Sequence, residues 1–399
     1  MNQARFAALV LFCVGCGPKA GLPPTPALPV DAVVVEVPTP LQVLDAAAAS
    51  LDPSTRGQAL GHLVATDPAP GAAGWAQRGL HDPEPWVQRQ VVEALAARLD
   101  EPETVQVLEG YTGREGIDPH VRACAAIRLV EHGHTDVAEV LSTAWRAEGS
   151  AWRRAPLALA AVRLGDSDAL SPLSRALSRG EIALEVEFML EVGRSGLVDL
   201  VPALQEGTEW VEPELLLAFA AARLALGDTT AETELRRALS SSEILERLEA
   251  LDYLSRLRGP TAEALLRRAR LGPGVVRWYA SLALLARGEG DPDLFERAMA
   301  SDDREVRALS VRFAGMAEHG EEGGRARKIQ RSARTAVRLG LADQDAVVRR
   351  SALEAIAHLG LEGEEPWLEA ALLDDDLAIR VAAAGTMRRL AVRAGGDIH

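Results

Sequence analysis

Asp118-Pro119-His120-Val121-Arg122-Ala123-Cys124-Ala125-Ala126-Ile127-Arg128-Leu129-Val130-Glu131-His132-Gly133 reads as one helix from cap to stop. Asp suits the N-cap and Pro the first helical position, where a missing N–H costs nothing. An Ala/Leu/Val stripe follows, and a Gly ends the helix. The same order returns at Asp52-Pro53, and further stops stand at Gly165, Gly227, Gly288, Gly320 and Gly360. An Arg near each helix start marks the period. Arg122 to Arg153 is 31 residues, Arg247 to Arg277 and Arg277 to Arg307 are each 30, and Arg349 to Arg380 is 31. Arg153 to Arg247 is 94, three periods, with Glu185 and Leu216 in register between; Arg307 to Arg349, at 42, breaks the rule. A second, shorter helix follows each first one, as in Asp168 to Ser178 or Asp291 to Ala300. Neither helix buries its apolar stripe alone, whereas stacked neighbours do. About eleven first helices fit between Pro53 and Ala394. The expected fold is all-α, a right-handed α-solenoid of helical hairpins wound as an α-α superhelix over residues 41–399.

The recurring Asp-x-x-Val-Arg core resembles the HEAT-repeat family, particularly the short bacterial form also found in bilin-attachment enzymes. The resemblance covers residues from about 50 to 395. It implies that turn Asp and helix Arg interact along the stack. Asp118/Arg122, Asp345/Arg349 and Asp376/Arg380 keep that spacing, and Arg153, Arg247, Arg277 and Arg307 continue the Arg register. Glu185 and Leu216 lack the Arg, so a weaker polar ladder is expected in the middle units.

Composition agrees with thin, closely packed helices. Apolar residues make up 48% of the 399 residues but aromatics only 4%, too few β-branched and aromatic residues for pleated sheets. Arg supplies nearly all the positive charge, since Lys19 and Lys328 are the only lysines. The net charge of −15 repels a phosphate backbone, so no nucleic-acid partner is expected.

Residues 1–15 read as an export signal. Arg5 precedes the apolar run Phe6-Ala7-Ala8-Leu9-Val10-Leu11-Phe12, too short to span a bilayer. Cys13-Val14-Gly15-Cys16 resembles the bacterial lipobox, with Cys13 where the family usually has an aliphatic residue. The resemblance implies cleavage after Gly15, a lipid on Cys16, and a membrane anchor there. Gly17 is not the Asp that retains some lipoproteins at the inner membrane, so the outer membrane is favoured. Residues 16–40 are proline-rich and expected to form an extended tether, rising roughly 3 Å per residue. Val33-Val34-Val35-Glu36-Val37 falls within it.

Candidate chemistry is sparse. Cys124 is the only thiol beyond the leader, leaving no disulfide or cysteine metal site in the repeats. His132 and His319 each precede a Gly at a helix end, where they suit the dipole better than a metal. His134 follows Gly133, the remaining histidines (His62, His81, His120, His358, His399) are scattered, and no catalytic, cofactor or metal motif stands out. One second helix is lengthened and basic: Arg325, Arg327, Lys328, Arg331, Arg334 and Arg338 lie around an inward stripe of Ile329, Ala333, Ala336 and Val337. That helix is a candidate partner surface. Trp86, Trp152 and Trp278 near first-helix starts are either inter-repeat plugs or concave-face anchors.

These features point to a non-catalytic protein-binding scaffold held at the cell envelope. A bilin-lyase-like protein with a small molecule in its groove, or a cytosolic regulator if the leader is misread, are the alternatives.

Overall fold

The structure, a computed structural model, describes residues 37–114, 117–181, 186–317, 323–359 and 364–393. The signal and lipidation residues Gly15 and Cys16, together with Glu185, His319, Gly320 and Gly360, lie outside the described residues. Every regular element described is helical.

The chain opens with α1 (Pro40–Ala47), starting on the last proline of the expected tether. It continues with α2 (Pro53–Thr66), α3 (Ala69–Leu80), α4 (Pro85–Ala96), α5 (Pro102–Thr112), α6 (Pro119–Glu131), α7 (Val137–Ala147) and α8 (Ala151–Arg163). Next come α9 (Leu170–Ser178), α10 (Val186–Arg194), α11 (Val201–Gly207), α12 (Leu216–Ala225), α13 (Ala231–Leu239), α14 (Ile244–Arg256) and α15 (Pro260–Ala269). The last third holds α16 (Gly274–Ala286), α17 (Leu294–Met299), α18 (Arg304–Gly315), α19 (Gly324–Leu341), α20 (Ala346–Leu359), α21 (Glu365–Ala371) and α22 (Leu377–Arg393).

Even-numbered helices pack on one another along the chain, and odd-numbered helices sit behind them, most of them wedged between two even ones. The even set forms an inner layer of parallel helices. Short stretches of alanine, such as Ala158-Leu159-Ala160-Ala161 and Ala220-Ala221-Ala222, are buried there and let the axes approach closely. Apart from α9 on α11 and α17 on α19, outer helices touch each other less than inner ones do, so most repeats are wedges, narrow inside and wide outside.

The wedges sum to a closed ring. α22 packs directly against α2, and α1 lies behind that pair, in contact with both. The N-terminal helix thus occupies the outer position of the last repeat, which α22 begins. A superhelix with two free ends is what the repeats alone require; here the ends meet. Eleven inner helices about 9 Å apart make a loop roughly 100 Å around.

Parallel inner helices give the ring two distinct rims. One carries their N-termini and the turns between repeats. The other carries their C-termini, where Gly133, Gly165, Gly227 and Gly288 adopt φ between 86° and 98°. That left-handed backbone costs glycine little. The residue after each glycine then donates its N–H five residues back, as from Asp166 to the Ala161 carbonyl at 2.9 Å, completing a Schellman stop.

The polar ladder on the N-terminal rim is built differently from the expected pairing. Arg307 donates from Nη1 to the Ser301 and Asp302 carbonyls of its own turn, at 3.1 and 3.2 Å. Its Nε reaches Asp343 of the next turn at 2.7 Å. Arg56 joins Asp82 at 2.6 Å, and Arg349 joins Asp374 at 2.8 Å, in the same way. Asp118, Asp345 and Asp376 are therefore not the arginines' partners. They cap their helices, accepting from backbone N–H groups at 2.8–2.9 Å. The rung carboxylate stands two residues earlier, because only there does the side chain face the preceding repeat. Arg380 bonds the Asp374 carbonyl at 2.6 Å, and Arg122 bonds the Thr112 carbonyl at 2.9 Å.

In α8 the rung residue is Arg154, whose Nε donates to the Glu148 carbonyl at 2.7 Å. Arg153, the residue expected there, pairs with the Glu148 side chain instead, at 3.2 Å. The helix starts one residue later in phase than the Arg spacing implies. In α4 the position is Gln88, which bonds the Asp82 carbonyl at 2.7 Å.

A second ladder runs along the opposite rim. The acid following Gly165, Gly227 and Gly288 ties to the preceding outer helix. Asp166 accepts from Trp145 Nε1 at 2.9 Å, Asp228 from Gln205 at 2.9 Å, and Glu289 from Arg267 at 2.8 Å. Burial works against ionisation of Asp228, yet hydrogen bonds from Thr230, Gln205 and Arg223 hold its pKa down to about 2. The recurrent Gly-Asp and Gly-Glu pairs were the sequence signal for this ladder.

Candidate functional site

An inner helix flanked by two neighbours and backed by outer helices leaves one stripe to water, and that stripe faces the lumen. On α6 it is Cys124, Arg128 and Glu131. Arg128 bonds Glu93 of α4 at 3.1 Å, while Glu131 meets Arg163 of α8, which also reaches Glu191 of α10, both at 3.2 Å. Opposite charges thus alternate across four repeats and neutralise one another. Farther round, Asp252 of α14 accepts from Tyr279 of α16 at 2.8 Å and from Arg312 of α18 at 2.7 Å. Burial and the Asp252 charge push the Tyr279 phenol well above its ordinary range. Lumen side chains are paired to each other, which makes this wall a girdle first.

The isolated groups take structural places. His132 is the C-cap of α6, with Nδ1 2.9 Å from the Arg128 carbonyl, and His81 ends α3 likewise at 2.7 Å from Gln77. Cys124 is half-buried, and burial, then the Glu93 charge, push its thiol up to about 12. A thiol so held is a poor nucleophile. Among the described residues no group of three His, Cys, Asp or Glu is placed to hold a metal ion.

The N-terminal rim has a different character. Of fifteen exposed large apolar side chains described, nine lie on its turns or first helical residues: Leu51, Trp86, Trp152, Trp210, Ile244, Leu245, Leu271, Val347 and Leu373. Leu51 is 98% exposed and Trp210 67%. Apolar exposure concentrated on one side of a protein marks interaction surfaces, and tryptophan is among the side chains most enriched at their energetic centres. Trp86 and Trp152 therefore stand on the rim, each with an arginine 5.5 Å from its ring. Trp75 and Trp145 are the plugs, bonded to Asp67 and Asp166 at 2.7 and 2.9 Å.

The ladder on this rim is interrupted at two successive rungs. The carboxylate that should receive Arg247 is replaced by Leu271, 83% exposed, and the one for Arg277 by Ser301. Arg247 is left with a buried Nε that has no hydrogen-bond partner among the described residues. Arg277 is exposed and makes no ion pair there. At the same place α17 is only six residues long and leaves a gap between the outer helices. A cleft of about 500 Å³ results, floored by Trp278 and Ser281 and edged by Arg270, Leu271, Arg277 and Arg297. Asp291 closes its far end and bonds Arg297 at 2.8 Å.

The basic helix is α19, the next outer helix after α17. Ile329, Ala333, Ala336 and Val337 are buried as the spacing predicts. Its cations divide into two groups. Arg325 donates to the Gly288 carbonyl at 3.2 Å, and Arg338 bonds the buried Glu364 at 2.6 Å, so these two brace the ring. Arg327, Lys328, Arg331 and Arg334 are exposed and form no ion pair among the described residues. The ladder gap and its cleft escaped sequence reasoning; the signal was the apolar Leu271 at the position that Asp82, Asp343 and Asp374 fill in other repeats.

No family model matches the chain, and no curated protein matches it. Among solved structures, an engineered protein shares 17% identity at a TM-score of 0.25, covering 88% of this chain and 99% of that one. Human deoxyhypusine hydroxylase in complex with glycerol shares 16% at 0.27, covering 88% and 97%. The UNC-45 chaperone shares 14% at 0.25, covering 89% and 51%.

Proposed function

We propose that this chain is a HEAT-type ring scaffold that binds a protein partner without catalysis, lipid-anchored through Cys16 in a bacterial envelope, the outer membrane favoured. The concentration of exposed apolar side chains on one rim carries this reading. The route of the chain supports it. Outer helices run from the C-terminal rim to the N-terminal rim, so α1 starts, at Pro40, on the rim opposite the apolar one. A ring tethered through residues 16–40 presents Trp152, Trp210 and Leu271 away from the bilayer.

Mass spectrometry of the mature N-terminus in the native host tests the anchor: an acylated Cys16 is expected, and an unmodified Met1 sinks it. A photo-crosslinker at Trp210 tests the rim against one at Val198 on the other. The reading requires a discrete protein adduct from position 210, and equal labelling from both positions removes it.

A second reading has one observation behind it. A cavity of about 490 Å³ opens between α14, α16, α18 and α20, lined by Arg258, Arg287, Arg312, Phe313 and Glu354. A stoichiometric small molecule on the purified protein, with no protein adduct, favours that groove as the working site.

A further inference from the structure

We infer that the outer wall from α15 to α19 receives an acidic peptide segment of the partner, with one large apolar side chain of that segment seated over Trp278. This rests on the scaffold reading and assigns it a place and a chemistry.

Charge complementarity carries the choice of occupant. The protein as a whole bears −15, yet five cations on this stretch of wall have no carboxylate partner among the described residues: Arg277, Arg327, Lys328, Arg331 and Arg334. Arg327, Arg331 and Arg334 recur at helical spacing and so share one face of α19. That face is the outward one, because Ile329, Ala333 and Ala336 turn inward. α17 packs against α19, so the cleft and the basic face are neighbours on one wall.

Shape selects a peptide over a flat surface. The cleft is concave, about 500 Å³, and floored by an indole; Leu271 at its mouth is 83% exposed. An aromatic or branched aliphatic side chain fits such a floor. Carboxylates before and after it meet Arg277 at one end and the α19 cations beyond α17, as forked or point contacts. Of the nearby acids, Asp293 and Glu296, at the start of α17, are exposed and unpaired among the described residues, two against the five cations, and the next two are engaged. Asp291 is engaged with Arg297 at 2.8 Å, and Glu289 with Arg267 at 2.7 Å. A bilayer cannot enter a cleft between two outer helices, and anionic lipid is repelled by the rest of the surface.

The test is fluorescence-polarisation binding of the full chain to a labelled peptide of sequence Gly-Glu-Asp-Glu-Leu-Phe-Glu-Asp-Glu-Gly. Micromolar binding is expected, weakening as salt rises. Arg331→Glu with Arg334→Glu should weaken it tenfold or more, Arg277→Ala about fivefold, and a peptide with Gly-Gly for Leu-Phe tenfold. These side chains are exposed, and an unchanged thermal melt verifies that the variants fold. Binding weaker than millimolar, equal binding by all variants, or equal binding of a lysine-for-acid peptide overturns the inference. So does capture of phosphatidylglycerol vesicles with the same Arg331→Glu sensitivity and no peptide binding, which makes the wall a membrane contact. An unmodified Met1 leaves this site standing, and loss of peptide binding leaves the rim crosslink at Trp210 standing, so the two readings fail separately.

Discussion

Arg388 donates from Nε to the Oγ1 of Thr66 at 2.9 Å, joining residues 322 apart in sequence. Its guanidinium also pairs with Asp67, and only 2% of Arg388 is exposed. Asp67 accepts from Trp75 Nε1 as well, so the last inner helix is tied to the first intra-repeat turn. Every other joint of the ring has a covalent loop behind it; this one is held by packing and polar contacts alone.

Arg388→Ala is therefore expected to open the seam. Removing one partner of a buried pair leaves the other uncompensated, at a cost of about 3 kcal/mol. Small-angle scattering should show a larger radius of gyration, with α-helical circular dichroism largely kept. An unchanged radius and melting temperature would show that the ring does not depend on this pair.

Gly385 of α22 lies against the His62 ring of α2, and a Cβ built there falls well inside van der Waals contact with it. Gly385→Ala should destabilise the protein by about 1–3 kcal/mol through overpacking. His62→Ala on that background removes the clash and should recover part of the loss, a coupling that a double-mutant cycle in urea measures. Additive effects would place the two residues apart.

The same histidine makes the seam acid-sensitive. Burial, and then the Arg389 charge, bring His62 down to about 3, and its buried Nδ1 has no hydrogen-bond partner. Unfolded, it titrates near 6.5. As pH falls below that value the unfolded chain takes up a proton the folded ring refuses, so stability drops between about pH 6.5 and 4.5, before carboxylates contribute. Residual solvent contact on the ring limits the loss to about 1 kcal/mol at pH 5. His62→Leu should flatten the melting temperature across that window; the same slope in the variant assigns the effect elsewhere.

Arginines at equivalent repeat positions should differ sharply. Arg307, 9% exposed, spans two turns through Asp343 and two carbonyls, so Arg307→Ala should cost about 2–3 kcal/mol. Arg277, exposed at the ladder gap, should cost less than about 0.5 kcal/mol on the same substitution. Denaturant midpoints for the two variants compare them directly, and equal losses would mean the ladder is unbroken at Ser301.

Much of the scaffold is local, which is why it is legible in one dimension. Pro119, Gly133 and the Ala-rich stripe between them specify a helix and its ends within a few residues. The spacing of Arg247, Arg277 and Arg307 marks units where their phase is regular. Where phase slips by one residue, as from Arg153 to Arg154, spacing misleads, because hydrogen-bond geometry selects the side chain facing the turn. The partner of each arginine was misassigned for the same reason: Asp343 and Asp345 are both near Arg349 in sequence, but one faces the preceding repeat and the other the helix's own N–H groups.

Closure belongs to another level. Helix type, repeat length and burial stripe follow from residues within about thirty positions, since capping and apolar periodicity act at that range. Whether the wedge angles of the repeats add to a full turn depends on interaxial distances accumulated over the whole chain, and small differences per repeat separate a ring from an open coil. Only the assembled structure brings Arg388 to Thr66 and α1 behind α22. Only there does the missing carboxylate at Leu271, beside a six-residue outer helix, become a cleft.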